Sequence, residues 1–530
     1  MVLLFYFPAF LIFFFLKWYG YYWANYDFIE NVLFTTIFYI PSILLPYNKY
    51  RSAFSILGLI IIYIVISLEF ITVILDYDYF SKATMLILLE TNSDETVEFL
   101  SSNSYSLFKI GILLFVLITP LIFNFLFNID KLLKKVFNYV FFKISFFFFI
   151  SLMITLAITK YKSTLLQYNF PYVVISSYNY SLKKIERENV FSLENGNFTN
   201  ITRELSQEKE LYIVVIGEST SRKHLSLYNY HINTNPLLSE MKDKLLIYND
   251  VISPHAQTIK SLEKVLTLGN YENIENIYNG TIVQLLNSAG FNTYWISNQK
   301  AKGKYETLVY KISKPTKQQI FINKPQNNNI SYDGNLLAPL RKIIAKNENK
   351  QFIFIHLIGT HTSYSKRYPE EFKIFKSNEN CSKKQRVINE YDNAILYNDY
   401  VINNIINTVK GTNRSSFVIY FSDHGEDVFD TNEKLLMHNE SIGTKPMFDI
   451  PFIVFLSDSF KKFNSTIFIN ENRPYMTDDL IFSISDLLKI NFDQNETARS
   501  IFSKSFNENR KRIILKNINY DIKFNSVYSK

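Results

Sequence analysis

Apolar residues are unevenly shared along the 530-residue chain. Up to about residue 160 they come in long Phe-, Leu- and Ile-rich runs, and five candidate membrane spans can be drawn at 2–19, 28–45, 53–75, 108–127 and 137–159. Each approaches the ~20 residues that a helix needs to cross the hydrocarbon core. The second is shortened by Glu30 and Asn31, and the third carries Glu69, which is costly in lipid unless it faces other protein and finds a partner. Lys49 and Arg51 after the second span, and Lys131, Lys134 and Lys135 after the fourth, mark those loops as cytoplasmic. An odd number of spans then leaves everything beyond residue 159 on the outer side. The first run has neither a basic start nor a small-x-small cleavage site, so it reads as a span and not a removable signal.

The pattern changes at residue 161. Residues 161–209 read as an interfacial helix followed by a polar linker: aromatic residues over 165–188 suit a membrane surface, and 194–208 is polar. From 210 to 530 short apolar bursts alternate with helical periodicity. Strands are expected at 211–216, 292–297, 351–357, 417–421 and 450–456, and helices at 281–288, 334–345, 391–409 and 478–488. That alternation predicts an α/β domain with a mostly parallel sheet between helices.

Two of the expected strands run into charged loops. Residues 417–421 lead into Ser422-Asp423-His424-Gly425-Glu426, and 211–216 lead into Gly217-Glu218-Ser219-Thr220-Ser221-Arg222. In open α/β sheets such loops meet beyond the carboxyl ends of the strands. Between them, Ser253-Pro254-His255-Ala256-Gln257-Thr258 precedes a helix-like run at 262–268, which places Thr258 at or near a helix N-terminus with free N–H groups. Glu218, Asp423 and His424 offer carboxylate and imidazole ligands suited to zinc or a similar divalent ion, and Thr258 adds a hydroxyl nucleophile. All seven histidines fall after residue 220, as expected of a domain that uses imidazole. His224, His231, His255 and His356 are expected to be hydrogen-bonded structural residues. Cys381 is the one cysteine, so no internal disulfide forms. The net charge of +8 favours approach to anionic lipid, although part of it belongs to the cytoplasmic loops, and no nucleic-acid partner is expected.

The phrases VVIGESTSRKHLSLYNY, ISPHAQTIKSLEKVLTL, YWISNQ, IHLIGTHTSYSKRYP, YDNAILYNDYVI and IYFSDHGED occur in that order across most of 210–456. In them the chain resembles the membrane-bound phosphoethanolamine transferases of the lipid A and lipopolysaccharide-core type, within the alkaline-phosphatase and sulfatase superfamily. The resemblance implies a five-helix transmembrane domain in the bacterial inner membrane and a periplasmic sulfatase-like α/β/α domain, and a monomer is expected. It implies phosphatidylethanolamine as donor, lipopolysaccharide (core heptose or lipid A) as acceptor, and a covalent phosphoethanolamine-threonine on Thr258. Zinc at Glu218, Thr258, Asp423 and His424 is implied as one tight site, with room for a second, weaker one. His361 and His438 correspond to residues that meet the phosphate or a second metal, and Lys302 and Arg222 are candidates for steadying transition-state charge. Cys381 lacks the Cys-x-Pro-x-Arg surroundings from which a sulfatase makes its formylglycine, which argues against sulfate-ester hydrolysis. The alternatives are a phosphoglycerol transferase of the lipoteichoic acid synthase type, and a non-catalytic membrane-anchored protein that kept the fold.

Overall fold

The computed structural model describes residues 2–530 except 45–47, 77–78, 92–95, 98–99, 101–103, 128–165, 205–207, 301–306, 324–329, 378–380, 466 and 526–530. The chain divides into two compact units, Met1–Leu89 with Phe99–Lys184, and Glu90–Glu98 with Ile185–Lys530.

The first unit is helical: Val2–Trp18, Ala24–Leu44, Asn48–Asp76, Lys82–Glu90, Ser104–Phe127 and most of Phe170–Arg187. Among the described residues, two stretches are long and apolar enough to cross a membrane, Ser52–Leu75 and Ser106–Leu126, with Val2–Trp18 as a shorter apolar helix. The fifth expected span, 137–159, lies outside the described residues. The polar residues that interrupt the second run are buried and hydrogen-bonded. Asn31 donates through Nδ2 to Asp27 Oδ2 (3.0 Å) and Glu69 Oε2 (3.2 Å), and Glu30 Oε1 accepts from the Leu166 amide (2.9 Å). Glu69 thus has the partner its position requires. On Phe170–Arg187 the rings of Tyr172, Tyr178 and Tyr180 and the side chain of Ile175 are exposed.

The second unit is built on a seven-stranded sheet: β1 (Glu210–Gly217), β2 (Leu245–Ile247), β3 (Asn292–Ser297), β4 (Gln318–Phe321), β5 (Lys350–His356), β6 (Ser415–Ser422) and β7 (Phe452–Leu456), in the spatial order β2-β7-β6-β1-β5-β3-β4. All five expected strands are present. The sheet is mixed: β6-β1-β5-β3-β4 run parallel, whereas β7 pairs antiparallel with both β6 and β2. The central strands are continuous apolar runs because helices cover both faces. Along β1, Leu211, Ile213 and Val215 enter one core while Tyr212, Val214 and Ile216 enter the other, the period-2 alternation of a strand shared between two apolar layers.

The principal helices are α1 (Thr258–Val265), α2 (Ile282–Ser288), α3 (Leu337–Ile344), α4 (Lys383–Lys410) and α5 (Leu480–Leu487). α2 opens on a capping box, in which Thr281 and Gln284 satisfy each other's backbone N–H groups. The run expected at 262–268 is a correction: the helix begins four residues earlier, at Thr258, and stops at Val265, because Thr267 leaves it to bridge Thr281.

The second unit begins upstream of its first sheet strand. Phe191 and Phe198 are buried in its core, and Lys311 Nζ bonds Glu188 Oε2 (3.0 Å) and the Ile185 carbonyl (2.7 Å) with both side chains almost fully buried. Breaking a buried ion pair leaves one charge stranded. Lys311→Met is therefore expected to destabilise the protein by about 3 kcal/mol, and the double change with Glu188→Gln to recover most of that loss. Chemical denaturation of the two variants beside the parent checks this.

Candidate active site

The site grows from strand register. β1 lies between β6 and β5, with Gly217 opposite Ser422 and Ile216 opposite His356. The next residues along these parallel strands are Glu218, Asp423 and Leu357, so three neighbouring carboxyl ends open on one edge. The loop after β5 comes close to Glu218: Gly359 has φ +52°, and a Cβ there would lie 2.7 Å from the Glu218 carbonyl oxygen. Only glycine combines that backbone with that approach. Asp333 holds the same loop by accepting from the Ile358 and Gly359 amides, each at 2.9 Å.

Glu218, Asp423 and His424 are buried, and their ligand atoms converge within 4.8 Å of one another. Asp423 Oδ1 accepts from the amides of His424 (2.7 Å) and Ser219 (3.2 Å), whereas its Oδ2 is buried without a hydrogen-bond partner. His424 Nδ1 lies 2.8 Å from the Gly425 carbonyl, which fixes that nitrogen as the donor and turns Nε2 toward Glu218 Oε1 (3.2 Å) and Asp423 Oδ2 (3.6 Å). Thr258 is the first residue of α1. Its Oγ1 lies 3.1 and 3.2 Å from the Glu218 carboxylate oxygens and 3.4 Å from His424 Nε2. Ser261, one turn on, donates to the Asp423 carbonyl (2.5 Å) and ties the helix to the aspartate loop.

The electrostatics favour a cation at the centre. Burial, and then the neighbouring Glu218 charge, push the Asp423 carboxyl well above its ordinary range. Burial opposes charge on His424, yet the Asp423 and Glu218 carboxylates outweigh it and lift the imidazole to about 10. An orphaned carboxylate oxygen, a second carboxylate, an oriented imidazole and a hydroxyl are the donor set of a divalent-metal site, and they fit zinc.

The remaining sequence candidates are placed as follows. His361 follows Gly359 and Thr360 on the same loop, and burial lowers its imidazole pKa. His438 stands beside His424, with ring centroids 4.2 Å apart, and its Nδ1 bonds Glu426 Oε2 (2.8 Å). His424, Glu426 and His438 make a second group able to hold a cation. The Arg222 guanidinium is committed elsewhere, 3.4 Å from Asp449 Oδ2 and 3.3 Å from the Val251 carbonyl, so it is a brace between loops. Lys302 lies outside the described residues. Sequence reasoning assigned no role to Gln299, whose Nε2 is 3.5 Å from Glu218 Oε2 and 3.0 Å from the Leu357 carbonyl. It gave none to Glu426, which also accepts from the Tyr364 hydroxyl (2.7 Å). A polar residue just past a strand end is the one signal that pointed to either.

Of the histidines expected to be structural, His255 bonds Glu440 (2.7 Å) and His224 lies between Asp392 (2.8 Å) and Asp430 (3.2 Å). His356 departs from that expectation: it is buried and neither ring nitrogen has a hydrogen-bond partner. Burial opposes charge on His224, but its two aspartates raise it to about 9. With the folded value above the unfolded one, the stabilisation is complete below about pH 6.5 and is lost as pH rises through about 9. Replacing His224 with Asn is expected to remove roughly 3 kcal/mol of stability at pH 6 and much less at pH 9.5. Thermal unfolding of both proteins across that range reads the difference.

Known proteins resemble this chain in sequence and fold. The phosphoethanolamine transferase EptC of Escherichia coli is 32% identical over 341 residues, which is 62% of this chain and 59% of that protein. CptA of Salmonella typhimurium, also a phosphoethanolamine transferase, is 32% identical over 56% of this chain and 54% of its own length. The chain thus matches little more than half the length of these relatives. Among solved structures, the C-terminal periplasmic domain of Escherichia coli EptC in complex with zinc superposes with a TM-score of 0.57 at 31% identity, covering 61% of this chain and 96% of that one. The integral membrane lipooligosaccharide phosphoethanolamine transferase A of Neisseria meningitidis shares the fold over 91% of this chain and 96% of its own, with a TM-score of 0.57 at 17% identity. Residues 210–490, more than half of the chain and the whole of the sheet with the loops that carry Glu218, Asp423 and His424, match the family described as Sulfatase, and the chain belongs to that family.

Proposed function

We propose that this protein is a phosphoethanolamine transferase, anchored by five spans in the bacterial inner membrane with its catalytic unit in the periplasm, that moves the headgroup of phosphatidylethanolamine to lipopolysaccharide. The observation that carries the reading is the Thr258 hydroxyl, 3.1 Å from Glu218 and 3.4 Å from His424 at the start of a helix. The relatives of similar sequence named as phosphoethanolamine transferases support the choice of headgroup.

Glu218, Asp423, His424 and Thr258 would hold one zinc ion, which when bound lowers the pKa of a hydroxyl and offsets charge on phosphate oxygens. Glu218 takes the Thr258 hydroxyl hydrogen bond and aims Oγ1 out of the buried carboxylate pair. Thr258 Oγ1 gives up its proton and attacks phosphorus, the bond to the diacylglycerol oxygen breaks, and that oxygen takes up one proton and leaves as the diacylglycerol hydroxyl. Phosphoethanolamine then stays on Thr258 until an acceptor hydroxyl or phosphate attacks the same phosphorus and Thr258 departs. His361 and His438 would meet the phosphoryl oxygens or exchange the proton, with Glu426 fixing the ring of His438. A membrane anchor suits a reaction whose donor and acceptor are both lipids.

Supplying the purified protein with phosphatidylethanolamine or phosphatidylglycerol, and following diacylglycerol release, tests the headgroup. Release from the first is expected. Release only from the second would turn the reading to a phosphoglycerol transferase.

A further inference from the structure

α4 carries an unusual face. Gln385, Asn389 and Asp392, spaced four and three residues apart, fall on one side of the helix and line a cavity of about 130 Å³. That is close to the ~150 Å³ that accommodates a single six-membered ring. Three rings, those of Tyr230, His231 and Phe375, and two aliphatic side chains, Ile232 and Ile388, complete the lining.

The walls are held in place. Tyr230 donates through Oη to Asp392 Oδ2 (3.0 Å), and the other oxygen of that buried carboxylate meets His224 Nδ1 (2.8 Å). The amide and carbonyl of Phe375 are both bonded by the Asn393 side chain, at 2.9 and 3.1 Å. Gln385 Nε2 donates to Asn389 Oδ1 (2.9 Å). Charge at the cavity is balanced: Asp392 and Asp430 share His224, and Lys223 pairs with Asp430 at 3.3 Å. A balanced site gives little preference to a bare cation or anion, whereas rings beside amides suit a neutral polyhydroxyl ligand, whose C–H face packs on aromatic carbon while its hydroxyls bond the amides.

The cavity also adjoins the active-site loops. Tyr391, beside Asp392, donates to the Ser219 carbonyl (2.8 Å) and accepts from the Ser221 amide (2.9 Å), directly after Glu218. Asp430, on the far side of His224, is bonded to Asp427 three residues beyond His424 (2.9 Å). We propose that this cavity is a carbohydrate subsite that seats one sugar ring of the acceptor. The assignment rests on the transferase reading above for its role, but not for the binding itself.

The test uses the full-length protein in detergent and, as probe, a lipopolysaccharide core oligosaccharide freed of its lipid, with binding followed by saturation-transfer NMR. Wild type is expected to bind it, and Phe375→Ala and Gln385→Ala to weaken that binding at least about fivefold by removing a ring face or an amide from the rim. Diacylglycerol release from phosphatidylethanolamine is expected to stay unchanged in both variants. No binding by wild type, or equal binding by all three proteins, would overturn the subsite. If none of the proteins releases diacylglycerol while binding and its loss in the variants persist, the transferase reading fails and the subsite stands.

Discussion

Thr258→Ala is expected to lower transfer at least about 1000-fold while leaving expression, membrane insertion and bound metal in place. Among the described residues, the side chain removed is the only hydroxyl that meets both oxygens of Glu218 and Nε2 of His424, at 3.1, 3.2 and 3.4 Å. In the proposed chemistry no other side chain of the protein bonds to phosphorus. Thr258→Ser keeps the oxygen at the head of the same helix and is expected to remain within about tenfold of the parent. A transfer assay on purified protein, with metal content measured on the same samples, checks both. Retained activity in the alanine variant would move the nucleophile elsewhere.

The second large effect is at Asp423. Asparagine keeps Oδ1, and with it the hydrogen bonds from the Ser219 and His424 amides, but replaces the partnerless Oδ2 by an amide nitrogen. It removes the negative charge that metal binding needs and also ends the opposition between Asp423 and Glu218. Asp423→Asn is therefore expected to lose metal and to lower transfer at least about 100-fold without unfolding. The two proteins should respond differently to a chelator. A ligand held at a thousand times its Kd stabilises the folded state by about 4 kcal/mol, so stripping metal should lower the melting temperature of the parent by several degrees and leave the variant unmoved. Equal shifts in the two proteins would separate Asp423 from the metal.

The parts of this architecture that could be read from the chain are those where local pattern and tertiary role coincide. Residues 211–216 and 417–421 are continuous apolar runs because they sit at the centre of a sheet covered on both sides, and both became strands. β4, with Gln318 and Gln319 on a sheet edge, and β2, three residues long, are too polar or too short to announce themselves. The reversed direction of β7 was equally hidden, since a period-2 pattern has no sense along the chain. Thr258 was placed at a helix start by the polar phrase before it, but the helix end was misjudged because Thr267 obeys a bridge to Thr281 rather than local propensity. In the site, the chemistry of Glu218, Asp423 and His424 was legible from residue type at strand ends. Their convergence depends on the Gly217–Ser422 register, which only the folded sheet supplies. The pairing of Arg222 with Asp449 is of the same kind: a basic residue beside a ligand suggested phosphate, and a distant aspartate claimed it.

The most direct measurement is peptide mass mapping of the full-length protein after incubation with phosphatidylethanolamine and rapid quenching. The account predicts a phosphoethanolamine group on the peptide that contains Thr258, absent from Thr258→Ala and removed when the acceptor is added. Transfer that proceeds at the parent rate with no such group on Thr258 would contradict it.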